Sequence, residues 1–174
     1  QSRSSAASDV YKRQALLVGA NLSIAGLLLQ LVTRNPLADP GLIGVTAGAG
    51  LAATIVLALY PEATSALPMA AFSGALISSI VVYGVSWRPG AGSSPIRMIL
   101  AGVAVNAILG AVIGFLMTAY SDRIPSMMFW TSGSFNGRSW MHFDLLWPYS
   151  LIGAVGSVFL LSLIHISEPT RRYA

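Results

Sequence analysis

The stretch Gln30–Gly50, QLVTRNPLADPGLIGVTAGAG, decides how this chain folds. An apolar run that begins at Ala15 enters it, and another leaves it through Leu51. After Gln30 come one Arg, one Asp, two prolines and four glycines. Pro36 cannot donate a backbone hydrogen bond and disfavours helix at Asn35, so the incoming helix is expected to end between Thr33 and Asn35. Pro40 followed by Gly41 predicts a turn. Gly44 and Gly48 stand four apart, a spacing that predicts one shared helix face and the close approach of another backbone. The stretch reads as a tight connection between two membrane-spanning helices.

Composition points the same way. Mean hydropathy is +0.70, and charged residues make up only 9% of the chain. A soluble domain carries about 25%. There is no cysteine, hence no disulfide framework and no thiolate metal site. The formal charge of +4 does not indicate nucleic-acid binding, because most of it lies at the two ends. Between Ala15 and Leu161 five arginines face four acids, leaving no basic stripe for a phosphate backbone.

Those ends, residues 1–14 (QSRSSAASDVYKRQ) and 162–174 (SLIHISEPTRRYA), show no apolar period and resemble translated sequencing-adaptor sequence. The alternative is a genuine basic N-terminus and a short C-terminal tail. No apolar run precedes Ala15, so the N-terminal segment does not read as a signal peptide. Both ends are expected to be non-native and to flank a partial transmembrane domain at 15–161.

A bilayer core of about 30 Å needs about 20 mostly apolar residues per helix. Five segments qualify. In the first, Ala15 to Val32, the residues Gly19, Ser23, Gly26 and Gln30 form a small and polar stripe expected to face other helices, with Asn21 off it. The alternative is that these polar groups bond only to nearby backbone. The second segment runs from about Leu42 to Tyr60. The third, about Leu67 to Trp87, has Gly74 and Ser78 four apart and an interfacial Trp87. The loop Arg88–Pro95 follows. In the fourth, Ile96 to Tyr120, the residues Gly102, Asn106, Gly110 and Gly114 are each four apart and predict one groove with an amide in it. It reads either as a helix-packing face or as the lining of a pore. The connector Ser121–Asp144 is long, and Met127, Met128, Phe129 and Trp130 predict a short interfacial helix. A fifth segment starts at Leu145.

The run RNPLADPGLIGVTAGAG resembles the signature of the FecCD-type permeases, the membrane subunits of ABC importers for iron-siderophore, haem and cobalamin. Asn35, Pro36, Leu37, Ala38, Pro40, Gly41, Gly44, Gly48 and Ala49 stand where that family's pattern has them; Arg34 and Asp39 complete the loop. Trp130, Gly133, Ser134 and Trp140 resemble the family's W-x-x-G-S/G…W element in a periplasmic loop. The resemblance implies an all-α polytopic bundle: about five transmembrane helices, two through six, of a ten-helix permease in the bacterial inner membrane. It implies a second permease subunit, cytoplasmic ATPase subunits and a periplasmic substrate-binding protein as partners, and no cofactor. It also favours the pore reading of the Gly102–Gly114 groove. Arg34, Arg88 and Arg97 flank one set of connectors, against Arg123 and Arg138 on the other. That slim positive-inside margin agrees with a family topology that puts Asn35–Gly41 and Arg88–Pro95 in the cytoplasm and Trp130–Trp140 in the periplasm. Two features depart from the family. YKRQ stands where an Arg-rich docking element belongs, and Pro95 and Ile96, beside Ser94, replace small hydroxyl residues of a cytoplasmic gate.

No catalytic set is visible. His142 is the one histidine outside the tails and reads as an interface residue. No Walker loop is present, so ATP hydrolysis would belong to a partner. The spans hold almost no ionisable group, which argues against proton or sodium coupling. The leading expectation is the permease subunit of a metal-chelate importer; the alternative is a non-ABC channel or helical membrane scaffold.

Overall fold

The computed structural model describes residues 2–36, 38–90, 92–135 and 139–167. Leu37 of the signature, Arg138 of the long connector and the tail 168–174 lie outside them. The chain divides into two compact units, residues 1–31 with 135–174, and residues 32–134.

The first unit pairs α1 (Ser2–Thr33) with α6 (Trp140–Ser167). Within them, Asp9–Thr33 and Trp140–Ser162 are long and apolar enough to cross a membrane. The backbone is helical from Ser2, through most of the adaptor-like segment. The side chain of Asn21, read as lying off the packing stripe, makes one link between these helices: its Nδ2 donates to Ser150 Oγ at 2.7 Å, while the Arg13 guanidinium lies 5.5 Å from the Trp140 ring. Ser23 instead donates to its own helix at the Gly19 carbonyl, 2.8 Å away. A Cβ at Gly19 or Gly26 would meet open space. Ser23 thus follows the alternative reading, a bond to nearby backbone. His142 helps to begin α6: its Nδ1 accepts from the Ser139 backbone N–H at 3.2 Å and lies 3.1 Å from Ser139 Oγ. This is a helix-start contact of the capping kind, supplying an acceptor to a backbone donor near the first turn.

The second unit holds α2 (Val45–Leu59), α3 (Leu67–Ser86), α4 (Pro95–Ala119) and α5 (Ile124–Ser132). The spans Thr64–Ser86 and Pro95–Ala119 are membrane-length, whereas α2 has only 15 residues, about 22 Å at 1.5 Å per residue. The crossing of α2 on α3 is set by Gly48 and Gly74, each of which would place a Cβ on the other's carbonyl oxygen. A two-residue antiparallel hairpin, β1 (Trp87–Arg88) with β2 (Gly92–Ser93), joins α3 to α4, with Trp87 opposite Ser93. Arg97 staples it: Nε donates to the Ser86 carbonyl at 3.2 Å and Nη2 to the Gly92 carbonyl at 2.7 Å. Ser94 caps α4 by accepting from the Arg97 N–H, and Pro95 follows in the first helical turn, where its missing N–H costs nothing.

The expected short helix in the long connector is α5, but it does not present all its apolar residues outward. Met127 is fully buried against Ala53, Leu57, Ala58 and Leu67, where α2 ends and α3 begins. The Arg123 guanidinium donates to the Ala58 carbonyl, one of the orphan acceptors at the end of α2, and lies 5.8 Å from the Tyr120 ring. Most large apolar side chains face outward: Phe72, Ile96 and Phe115 are each about 70% exposed. Such a surface suits lipid or further helices, not water.

Candidate functional site

The site is built around the end of α1 and the turn that follows it. Thr33 is the last helical residue, and Arg34 takes a left-handed conformation at φ 51°. This matches the break expected ahead of Pro36. The Ala38 N–H then closes a turn on the Asn35 carbonyl at 3.1 Å, and Ala38 itself is buried. Asp39 is extended (φ −130°, ψ 137°) and its Oδ1 accepts from the Gly41 N–H at 2.7 Å, an Asx turn that starts a single 3-10 turn over Pro40–Ile43. Gly44 ends that turn at φ 85° and is at the same time the residue from which α2 starts.

Gly44 is therefore not on a helix face with Gly48, contrary to the four-residue spacing. Both glycines still serve close approach. The left-handed φ at Gly44 excludes ordinary side chains, and a Cβ there would stand 2.7 Å from Ser78 Oγ. A Cβ on Gly48 would strike Ser78 Cβ as well as the Gly74 carbonyl.

Two side chains from neighbouring helices hold the turn. Ser78 Oγ of α3 donates to the Gly44 carbonyl at 2.9 Å, and Asn106 Nδ2 of α4 donates to the Gly41 carbonyl at 2.8 Å. Gly102, one turn before Asn106, has no room for a Cβ because the Leu42 carbonyl oxygen occupies that place. The turn is thus lodged beside the bodies of α3 and α4 and not beyond their ends. Asn106 lies 11 residues after Pro95, about 16 Å along α4, and Ser78 lies 8 residues before Ser86, about 12 Å from the same hairpin. The turn is held against its neighbours at Gly41 and Gly44, and α2 begins only after it, at Val45.

The Gly102–Gly114 line divides in two. Gly102 and Asn106 pack on the turn, while a Cβ at Gly110 or Gly114 would meet nothing within 4 Å. Asn106 Oδ1 is buried and makes no hydrogen bond. Asn106 also borders an open groove of about 640 Å³ that runs past Thr46, Gly50 and Ile113 to Trp130 and Thr131 of α5. Thr46, Gly50 and Thr131 escaped the sequence reading. From α4 the groove is lined by Asn106 and Ile113, so the four-residue spacing named one of its residues, and nothing in the sequence says which residues of α2 and α5 form its other wall. Of the connector element, Trp130 packs against the Met127 cluster, Gly133 ends α5 at φ 71°, and Trp140 stands edge-on to Phe143 at the start of α6. Trp130 and Trp140 thus belong to different units of the chain. Among the described residues no group of three or more His, Asp or Glu side chains could hold a metal ion.

Residues 13–171 match the model of the FecCD transport family. The chain belongs to the FecCD transport family. It is 37% identical over 147 residues to the iron(3+)-hydroxamate import system permease protein FhuB of Escherichia coli, covering 84% of this chain and 22% of that protein. It is 43% identical over 126 residues to the ferric enterobactin transport system permease protein FepD of the same organism, covering 71% of this chain and 37% of that one. Against the Fe(3+)-citrate import system permease protein YfmE of Bacillus subtilis it is 36% identical over 139 residues, covering 79% and 41%. A solved metal-chelate type ABC transporter in an inward-facing conformation superposes with a TM-score of 0.70 at 26% identity, over 79% of this chain and 44% of that one. The chain spans less than half the length of each of these relatives. Membership in this family, together with four membrane-length apolar helices among the described residues, makes it part of a multi-pass membrane protein.

Proposed function

We propose that this chain is part of the permease subunit of an ABC importer that moves metal chelates of the iron-siderophore, haem or cobalamin type across the bacterial inner membrane. The observation that carries the reading is the FecCD match across residues 13–171, shared with relatives named as iron-chelate import permeases. A second permease subunit, a pair of cytoplasmic ATPases and a periplasmic binding protein complete the assembly. The chain hydrolyses nothing itself; ATP is consumed by the partner, and the permease alternates between outward-open and inward-open states. Residues 15–161 form the functional piece, and the adaptor-like ends take no part.

The conduit wall is assigned to the groove face of α4. Asn106 and Ile113 of α4 line it, with Gly110 between them in sequence, and Thr46, Thr131 and the Trp130 ring add a weakly polar lining. A wall of this kind suits a bulky chelate that must be passed on and not held. Purified permease should accordingly bind a ferric hydroxamate no tighter than micromolar; nanomolar affinity would contradict the conduit.

The direct experiment grafts residues 15–161 in place of the matching helices of the Escherichia coli hydroxamate permease. Cells that depend on the graft for iron should grow on a ferric hydroxamate and take up its labelled iron only when the ATPase partner is active. A graft that reaches the membrane in normal amount yet supports no ATP-dependent uptake would overturn the reading.

A further inference from the structure

The Pro40–Gly44 turn lies against the bodies of two membrane-length helices, α3 and α4. Inside a bilayer, a carbonyl without a donor has no water to turn to. Two of the turn's carbonyls accept side-chain donors from other helices: Gly41 from Asn106, and Gly44 from Ser78 in addition to the Gly48 N–H that opens α2. These donors come from two helices that share one hairpin end, and both count back to a similar depth, about 16 Å on α4 and about 12 Å on α3. The 15-residue α2 supplies about 22 Å, so a start at that depth gives about 34–38 Å in all, close to the length of the 25-residue α4. Steric fit repeats the pattern, since Gly102 lets the Leu42 carbonyl lie against α4.

We propose that Asn106 is a positioning residue for transport: with Ser78 it holds the Pro40–Gly44 turn inside the bilayer and makes that turn, and with it the start of α2, move with α4. Asn106 is suited to this because, beside the Nδ2 donor bound to the Gly41 carbonyl, its amide oxygen is buried next to Gly44, so the side chain lies along the turn from Gly41 to Gly44. Ser78 has one hydroxyl already committed to Gly44 and is the fixed point. The transport part of this inference rests on the permease reading above; the depth of the turn does not.

The test has two arms. The chain lacks cysteine, so single cysteines report cleanly. In membranes carrying the full chain, Ile43→Cys should react with a membrane-impermeant maleimide at least ten-fold more slowly than Pro89→Cys in the exposed α3–α4 hairpin. Adding Asn106→Leu should raise the Ile43→Cys rate several-fold while leaving Pro89→Cys unchanged. Ser78→Ala should act in the same direction, and Asn106→Gln, which keeps the amide donor, should restore at least half of the protection. Equal labelling of Ile43→Cys and Pro89→Cys in the parent, or no effect of Asn106→Leu, would overturn the turn's placement. In the grafted permease, Asn106→Leu should raise the ATP consumed per chelate imported several-fold, with partial return in Asn106→Gln. A proportional loss of uptake and ATP hydrolysis would instead mark Asn106 as merely structural. If the parent graft transports nothing while the labelling pattern holds, the permease reading falls and the buried turn stands.

Discussion

At the scale of single residues, the glycines of α4 separate two kinds of constraint that one spacing conceals. Gly102 faces the Leu42 carbonyl with no room for a methyl group, while Gly110 faces open space. For the chain in lipid nanodiscs, Gly102→Ala is expected to cost about 1–3 kcal/mol through forced displacement of backbone. Gly110→Ala should stay within about 0.5 kcal/mol. Denaturant midpoints of the two variants check this, and equal midpoints would show that the turn does not press on α4. In the grafted permease the order should reverse for uptake per folded molecule, because Gly110 is assigned to the conduit. The four-residue step that marked these positions carries no information about which neighbour fills each gap. Gly44 teaches the same lesson: its spacing to Gly48 suggested a helix face, yet the Asp39 Asx turn starts a separate 3-10 turn that Gly44 ends at φ 85°.

At the scale of elements, α5 is held by two devices, and each gives an expectation. Met127→Ala opens a cavity among Ala53, Leu57, Ala58 and Leu67 and should cost about 2–5 kcal/mol. Arg123→Ala removes the donor to the Ala58 carbonyl at the end of α2. Both changes should speed proteolysis of the connector Ser121–Asp144, and unchanged cleavage would detach α5 from the stability of the unit. Ser94→Ala should loosen the start of α4 by about 1 kcal/mol through loss of its cap, read in the same denaturation experiment. The long helices were legible in the sequence because apolar runs of 20 or more residues admit few other readings. The break at Arg34 was legible from Pro36. The start of α2 was not. Residues 42–44 are as apolar and small as the helix that follows, so hydropathy could not show that Pro40–Ile43 winds as a separate tight turn against α3 and α4. In the first segment a polar residue that joins α1 to α6 is Asn21, off the regular stripe, whose amide reaches the Ser150 hydroxyl.

At the scale of the whole molecule, the exposed apolar faces of α3, α4 and α6 and the chain's short span of its relatives describe one situation. Surfaces that lipid or further helices would cover are open. In detergent, residues 15–161 alone are expected to be polydisperse and readily digested; monodisperse, protease-resistant behaviour would contradict that. The central claim is that these helices cross a bilayer in alternation, with the hairpin between α3 and α4 on the cytoplasmic side. Single cysteines at Glu62, Pro89 and Ser121, probed with an impermeant maleimide from each face of oriented vesicles, measure this directly. The account predicts that Pro89→Cys labels only from the cytoplasmic face, and Glu62→Cys and Ser121→Cys only from the opposite one. Labelling of Pro89→Cys and Ser121→Cys from the same face would contradict it.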